Sequence, residues 1–200
     1  MNHSNCDFSY MKEEILLGLQ QLTTKLQHTI SFLDGDDCIL CNLEEFREEL
    51  SQLESVAGSY YLQCYLSNYT EKVDDLSLCL KRLSSRRHGA LIVVQGNDDV
   101  HSMIQKGTEI EALLSSSLVE SIFYPGNPLH DGAVLIRENT IVSAANILPL
   151  TTTNITGKLG TRHRAALGIT ESSDALALVV SEETGSVSFA LSGSLYPIQV

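Results

Sequence analysis

Two short polar segments in the second half of the chain combine residue types suited to a charged substrate. Arg162-His163-Arg164 follows Gly160-Thr161 at what reads as a helix start, with Thr161 as the candidate N-cap. Backbone N–H groups point outward from such a terminus and the helix dipole favours an anion there. Guanidinium forks would add paired donors for phosphate oxygens. Arginine pairs are also common on surfaces, so spacing alone leaves an anion cradle and a solvated basic turn both open. His130-Asp131-Gly132 stands in a loop before an apolar run. Asp-Gly is first a turn signal, but an aspartate beside a histidine could also hold a divalent metal or take a hydroxyl proton. Glu182-Glu183, in a hairpin turn, reads by default as a solvated pair.

Other motifs narrow the field by failing. Gly157-Lys158 lacks the earlier glycine and the following Ser or Thr of a P-loop, and neither G-x-G-x-x-G nor G-x-S-x-G occurs. Cys38-Ile39-Leu40-Cys41 is a C-x-x-C, yet no second pair or matched histidines complete a zinc site. The bland reading is two small apolar residues opening a helix. The cysteines number five (Cys6, Cys38, Cys41, Cys64, Cys79), and an odd count argues against a disulfide framework. Reduced thiols and a cytoplasmic location are the expectation.

The elements that must carry these segments divide the chain in two. Apolar residues at steps of three and four from Phe8 to Leu33 predict an amphipathic helix, broken by the acidic turn at 34–37. A second helix carries Leu43, Phe46, Leu50, Leu53 and Val56, and Gly58-Ser59 read as its end. This hairpin cannot bury its stripe alone and must pack on the rest of the chain or on another subunit. A third helical stretch runs from Tyr60 to Leu83. Beyond His88-Gly89 the pattern changes: Ala90–Val94 predicts a strand buried on both faces. A short helix is expected at 109–114, a helix or strand at 118–123, and a strand hairpin over 134–146. A polar loop at 151–158 leads to the helix at 161, and strands are expected at 175–180 and 186–191. The fold class is α/β, a mixed β-sheet flanked by helices and preceded by a helical hairpin.

Charge follows the same division. Of a formal net charge of -12, residues 1–80 hold 14 acids against 4 bases, whereas residues 81–200 are nearly balanced. With 43% apolar residues the chain is globular. Its acidity disfavours nucleic acid and anionic membranes as partners. No apolar run approaches a membrane span, and the opening residues lack a secretory pattern.

The ordered segments Arg86–Leu91, Pro128–Ala133, Leu148–Leu150, Gly160–Gly168, Ser173–Ala175 and Val180–Gly185 together resemble the diadenylate cyclases. Asp131-Gly132-Ala133 and Arg162-His163-Arg164 match the two signature motifs of that family, and the likeness covers roughly residues 70–193. The helical extension in place of membrane helices resembles the sporulation-type members. The resemblance implies a hairpin at 1–58 for assembly or regulation and a catalytic domain at 59–200. Two ATP would condense into cyclic di-AMP with release of two pyrophosphates, each 3′-hydroxyl attacking the other α-phosphate across a face-to-face dimer of domains. It implies catalytic roles at Asp131, Gly132 and Ala133, and metal binding (Mn2+ or Mg2+) at His130 and Asp131. Phosphate binding is implied at Thr161, Arg162, His163, Arg164, Ser181 and Glu183, and adenine contact at Ile147 and Leu148. Relatives often carry an aromatic residue at the position of Ile147, so stacking would become plain apolar contact here. The competing reading is a non-catalytic sensor that binds ATP or a cyclic dinucleotide; intact motifs weigh against it.

Overall fold

Ala90–Val94 is buried at every position, and the rest of the molecule is layered on its two faces. A computed structural model describes residues 9–31, 38–153 and 159–200, in which this run is the central strand β1 (Ala90–Val94). It pairs in parallel with β3 (Ala133–Arg137) and antiparallel with β5 (Leu176–Val180). With β2 (Thr108–Leu113), β4 (Thr140–Asn146), β6 (Val187–Leu191) and β7 (Ser194–Ile198), the sheet order is β2-β4-β3-β1-β5-β6-β7. Side chains of β1 alternate between two cores. Ala90, Ile92 and Val94 meet Leu76, Leu80 and Leu83 of α3 (Val73–Arg86) and Val119 and Ile122 of α4 (Ser116–Ile122). Leu91 and Val93 share the opposite core with Ala165, Ala166 and Ile169 of α5 (Thr161–Glu171). The mixed sheet flanked by helices is the architecture the sequence predicts.

Two helices precede it. The first is α1 (Ser9–Ser31); the acidic turn expected at 34–37 lies outside the described residues. The second, α2 (Ile39–Leu66), does not stop at Gly58-Ser59, and the stretch expected from Tyr60 to Leu83 is divided between the end of α2 and α3. Packing explains the difference. At Gly58 the helix crosses β7, where a Cβ would stand 2.1 Å from the Pro197 carbonyl oxygen. The Ser59 hydroxyl donates to the Gln199 carbonyl and accepts the Gln199 N–H, both at 2.9 Å. Glycine here permits close approach and is not a stop, so the boundary expected after residue 58 falls inside one continuous helix. Lys25 joins α1 to Glu45 and Glu49 of α2. Leu22, Phe46 and Val56 are buried, but Leu16, Leu17, Ile30, Leu40 and Leu43 stay exposed, an apolar stripe that the single subunit leaves uncovered.

Three further expectations are corrected. The short helix expected at 109–114 is the edge strand β2, where half-buried Ile110 and Ala112 alternate with exposed Glu109 and Glu111. Pairing with β4 on either side of a bulge at Ile110-Glu111, where Glu111 takes positive φ, outweighs helix propensity. Strand β7 was not anticipated; Ser192 and Gly193, both at positive φ, make the tight turn that returns it along β6. Cys38 and Cys41 are not reduced thiols but a disulfide, their Cα atoms 5.3 Å apart across the first turn of α2. Cys79 is a free buried thiol, and burial above all pushes it up to about 12, which makes it unreactive.

The end of the sheet opposite the polar motifs is closed by Asp174. Its carboxylate accepts the Asn97 N–H at 2.8 Å, the Asn97 side-chain amide at 3.0 Å and the Asp98 N–H at 3.0 Å, while the Asp174 N–H donates back to Asp98. Partial burial alone would raise its pKa, but these donors outweigh that and hold it below the ordinary value. A depressed carboxylate adds stability above its unfolded-state value and loses it as pH falls through the folded one. Asp174→Ala is therefore expected to lower unfolding stability by about 2 kcal/mol at pH 7. In urea titrations the gap to the parent chain should shrink as pH drops below about 4.

Candidate active site

Strand register decides which loops meet. Ile92 lies level with Val134 in the parallel pair, Ala90 with Val180 and Ala133 with Asn146 in the antiparallel ones. The starts of β1 and β3 and the ends of β4 and β5 therefore emerge on one side of the sheet. Gly89, Asp131-Gly132, Ile147-Leu148 and Ser181–Glu183 are the residues at those four strand ends. Helix α5 adds its N-terminus, because the Glu182 carboxylate accepts from Arg162 Nη1 at 2.8 Å.

The loop before β3 holds its shape through its own backbone. Asn127 Nδ2 donates to the Ser121 carbonyl, and its Oδ1 accepts the Leu129 N–H. The Asn127 carbonyl accepts both the His130 N–H at 3.1 Å and His130 Nδ1–H at 2.6 Å. With Nδ1 as donor, the imidazole carries its lone pair on Nε2. Asp131 beside it is exposed. Gly132 has φ +110 and lies so close to β4 that a Cβ would meet the Asn146 carbonyl oxygen at 2.7 Å, so a side chain is barred on both counts. Buried Ala133 follows, and its carbonyl accepts from Asn146 Nδ2 at 2.8 Å.

Asn146 is a residue that sequence reasoning missed. It is buried, and its Oδ1 accepts the Ser143 hydroxyl at 2.9 Å and the Gly107 N–H at 3.0 Å. This network, with Ala145 at positive φ, fixes the strand end against which the Asp131 loop is laid. A polar residue ending an apolar strand was the available signal. Of the two expected adenine contacts, Ile147 is 59% exposed, whereas Leu148 is buried in the α5 core.

Helix α5 begins differently from expectation. Gly160 is the N-cap and Thr161 the first helical residue, so no side chain caps the terminus. Thr161 and Arg164 are exposed, and Arg162 and His163 half-buried. Burial holds the His163 imidazole below its ordinary value and so neutral near pH 7. The Arg164 carbonyl accepts the Thr151 N–H at 3.0 Å, tying the helix start to the segment after Leu148. Ser181 and Glu183 lie in a turn closed by Gly185 N–H to the Ser181 carbonyl at 2.9 Å.

Among the described residues, no three His, Cys, Asp or Glu side chains are grouped closely enough to hold a metal. His130 and Asp131 nonetheless offer one imidazole nitrogen and one carboxylate. The Asp131 carboxylate is the kind of oxygen ligand that Mn2+ and Mg2+ take together with substrate phosphates, whereas the His130 imidazole suits Mg2+ less well. No helix among the described residues is long and apolar enough to cross a membrane.

Comparison with known proteins shows the family. Residues 77–195 match the family described as DisA bacterial checkpoint controller nucleotide-binding, and residues 2–69 match the diadenylate cyclase CdaS N-terminal family. The chain is 50% identical to diadenylate cyclase CdaS of Bacillus thuringiensis, over 95% of this chain and 98% of the relative. It is 51% identical to cyclic di-AMP synthase CdaS of Bacillus subtilis, over 92% and 87%. A crystal structure from Bacillus cereus, titled a hypothetical membrane spanning protein, superposes with TM-score 0.80 at 49% identity, covering 96% of this chain and 95% of that one. DacA from Staphylococcus aureus, solved as a double mutant, superposes with TM-score 0.61 at 40% identity over 64% of this chain and 85% of that one. With its motifs at one sheet end and both family matches in order along the sequence, the chain belongs to the diadenylate cyclases, the enzymes that make cyclic di-AMP from ATP.

Proposed function

We propose that each subunit binds one ATP at the strand ends described above and that two subunits face each other to close the ring. The observation that carries this reading is the convergence of Asp131, the Ser181–Glu183 turn and the α5 N-terminus on one side of the sheet. The α5 N-terminus, free of a side-chain cap, receives the phosphates with Thr161, Arg162 and Arg164. Neutral His163 orients that turn. Ser181 and Glu183 reach the triphosphate or its metal, and exposed Ile147 lies against the adenine beside the Leu148 backbone.

Each 3′-oxygen attacks the α-phosphorus of the other ATP. A P–O3′ bond forms, the bond to pyrophosphate breaks, and the hydroxyl proton passes to the Asp131 carboxylate. Nucleotidyl transfer of this kind is generally metal-dependent. Asp131 and His130 Nε2 would hold Mn2+ or Mg2+, which neutralises phosphate charge when bound. Gly132, lacking a side chain, lets the ribose approach, and the Ala133 carbonyl pinned by Asn146 keeps Asp131 in place. Two 3′,5′ linkages need two ATP in antiparallel array, so positioning by a pair of subunits supplies most of the rate. Cytoplasmic ATP is the substrate.

We divide the chain functionally at 58/59, with the hairpin serving assembly. Its exposed leucines suit burial against a second copy. An assembly held this way would restrain face-to-face pairing of the catalytic domains. Deleting residues 1–58 is then expected to raise the specific activity; an unchanged or lower rate, with the fold retained by circular dichroism, speaks against restraint.

Incubation with ATP and Mn2+ or Mg2+ should give a cyclic dinucleotide and two pyrophosphates per product. Chelation with EDTA should stop it. Asp131→Asn is expected to lower turnover at least ~100-fold with little change in melting temperature. A variant of undiminished turnover would remove Asp131 from the catalytic role.

A further inference from the structure

Glu182 is given no contact with substrate in the reading above, yet it makes the ion pair that joins the Ser181–Gly185 turn to the α5 N-terminus. Three observations bear on what it does there. First, the turn that carries it is held from both sides. Ser181 N–H donates to the Ser186 carbonyl, Gly185 N–H to the Ser181 carbonyl, and Thr184 N–H to Ser181 Oγ at 3.3 Å. From the α3 side, the Ser84 hydroxyl donates to the Gly185 carbonyl at 2.7 Å. Glu182 is thus a carboxylate on a rigid mount. Second, the two partners are unequally exposed: the Arg162 side chain retains 23% of its accessible surface and Glu182 63%. The guanidinium is drawn in against the protein while the carboxylate stands at the rim. Third, the pair lies on Gly89. A Cβ built there would stand 2.7 Å from Arg162 Nη1, 2.8 Å from Glu182 Oε2 and 3.0 Å from Glu182 Cβ. The absence of a side chain at the start of β1 is what lets the two charges meet.

We propose that Glu182 is a positioning residue that holds the Arg162 guanidinium across Gly89, so that the donors it leaves free face the ATP phosphates. An arginine side chain loses much rotamer freedom when fixed, and a partner that fixes it beforehand removes that cost from substrate binding. Only Nη1 is engaged, and the guanidinium fork has five N–H donors, so most remain for phosphate. The carboxylate also opposes phosphate by like charge. The two effects have opposite signs in KM, which makes them separable.

The inference rests on Arg162 as a phosphate ligand, and the experiment separates the two. Steady-state kinetics with ATP would be measured for the full chain and for Glu182→Ala, Glu182→Gln, Arg162→Ala, the Glu182→Ala/Arg162→Ala double variant and Gly89→Ala. Glu182→Ala and Glu182→Gln should each raise KM about tenfold with kcat within about twofold, because phosphate contact persists from ground state to transition state. In the Arg162→Ala background the Glu182 substitution should add less than about twofold, as expected when one residue acts through the other. Gly89→Ala removes no charge and no positive φ, so its displacement of the two side-chain tips should reproduce the Glu182 phenotype. Melting temperatures should scarcely move, since a pair this exposed contributes little to stability. A KM that is unchanged or lowered in both Glu182 variants overturns the proposal, as does an equal cost of Glu182→Ala with and without Arg162. If Arg162→Ala leaves KM unchanged, the phosphate reading of Arg162 falls as well. If Arg162→Ala raises KM while the Glu182 variants do not, only the role of Glu182 falls.

Discussion

The parallel pairing of β1 with β3, flanked on both sides by antiparallel neighbours, is the constraint on which the site depends. A parallel pair sends both strand starts to the same side, and an antiparallel neighbour on each flank returns its end there. Four chain segments far apart in sequence are so delivered to one edge. Shifting β3 by a single residue would turn Val134 and Ile136 away from the α3 core and reverse which loop residues face the substrate. Register is strongly fixed because β1, β3 and β5 are buried on both faces, between the α3–α4 layer and α5. The hydrophobic core and the active-site geometry are therefore two consequences of one arrangement.

On that edge, rigidity is supplied by polar groups that take no part in chemistry. Asn146 satisfies three partners, Ser143, Gly107 and Ala133, through its side chain from a fully buried position. Leaving any of them unpaired would cost on the order of a hydrogen bond, so the network has one low-energy arrangement. The Asp131 carboxylate is exposed, yet the backbone on its C-terminal side is pinned through the Ala133 carbonyl. Phosphoryl chemistry needs little covalent work from the protein and much positioning, and the distribution of hydrogen bonds here reflects that demand.

The acidity of the chain has a similar spatial logic. Most of the net charge belongs to the first 80 residues, whose described part comprises α1, α2 and the start of α3. The α/β domain is close to neutral overall, and the basic groups at its α5 N-terminus, Arg162 and Arg164, are a local feature that the net charge does not report. Overall charge disfavours a polyanionic partner while saying little about a small nucleotide, because fields beyond about 10 Å are screened and contacts act at short range.

What the sequence alone determined is whatever local pattern or local chemistry specifies. The apolar run Ala90–Val94 reads as a strand buried on two faces, the period from Phe8 to Leu33 as an amphipathic helix, and Asp131-Gly132-Ala133 with Arg162-His163-Arg164 carries the family likeness. Tertiary structure decided where local signals were ambiguous or silent. Gly58 reads as a helix stop until β7 is seen to cross it, and Glu109–Leu114 reads as helical until β4 offers it a ladder. Cys38 and Cys41 read as reduced thiols until the first turn of α2 brings them together. Glu182 reads as a solvated turn residue until its contact with Arg162, 20 positions away, is known. For Gly58, Glu109–Leu114 and Glu182 the deciding energy comes from a partner distant in the chain, which no window of neighbouring residues contains; the cysteines are three positions apart, and there only the conformation of the helix start was missing.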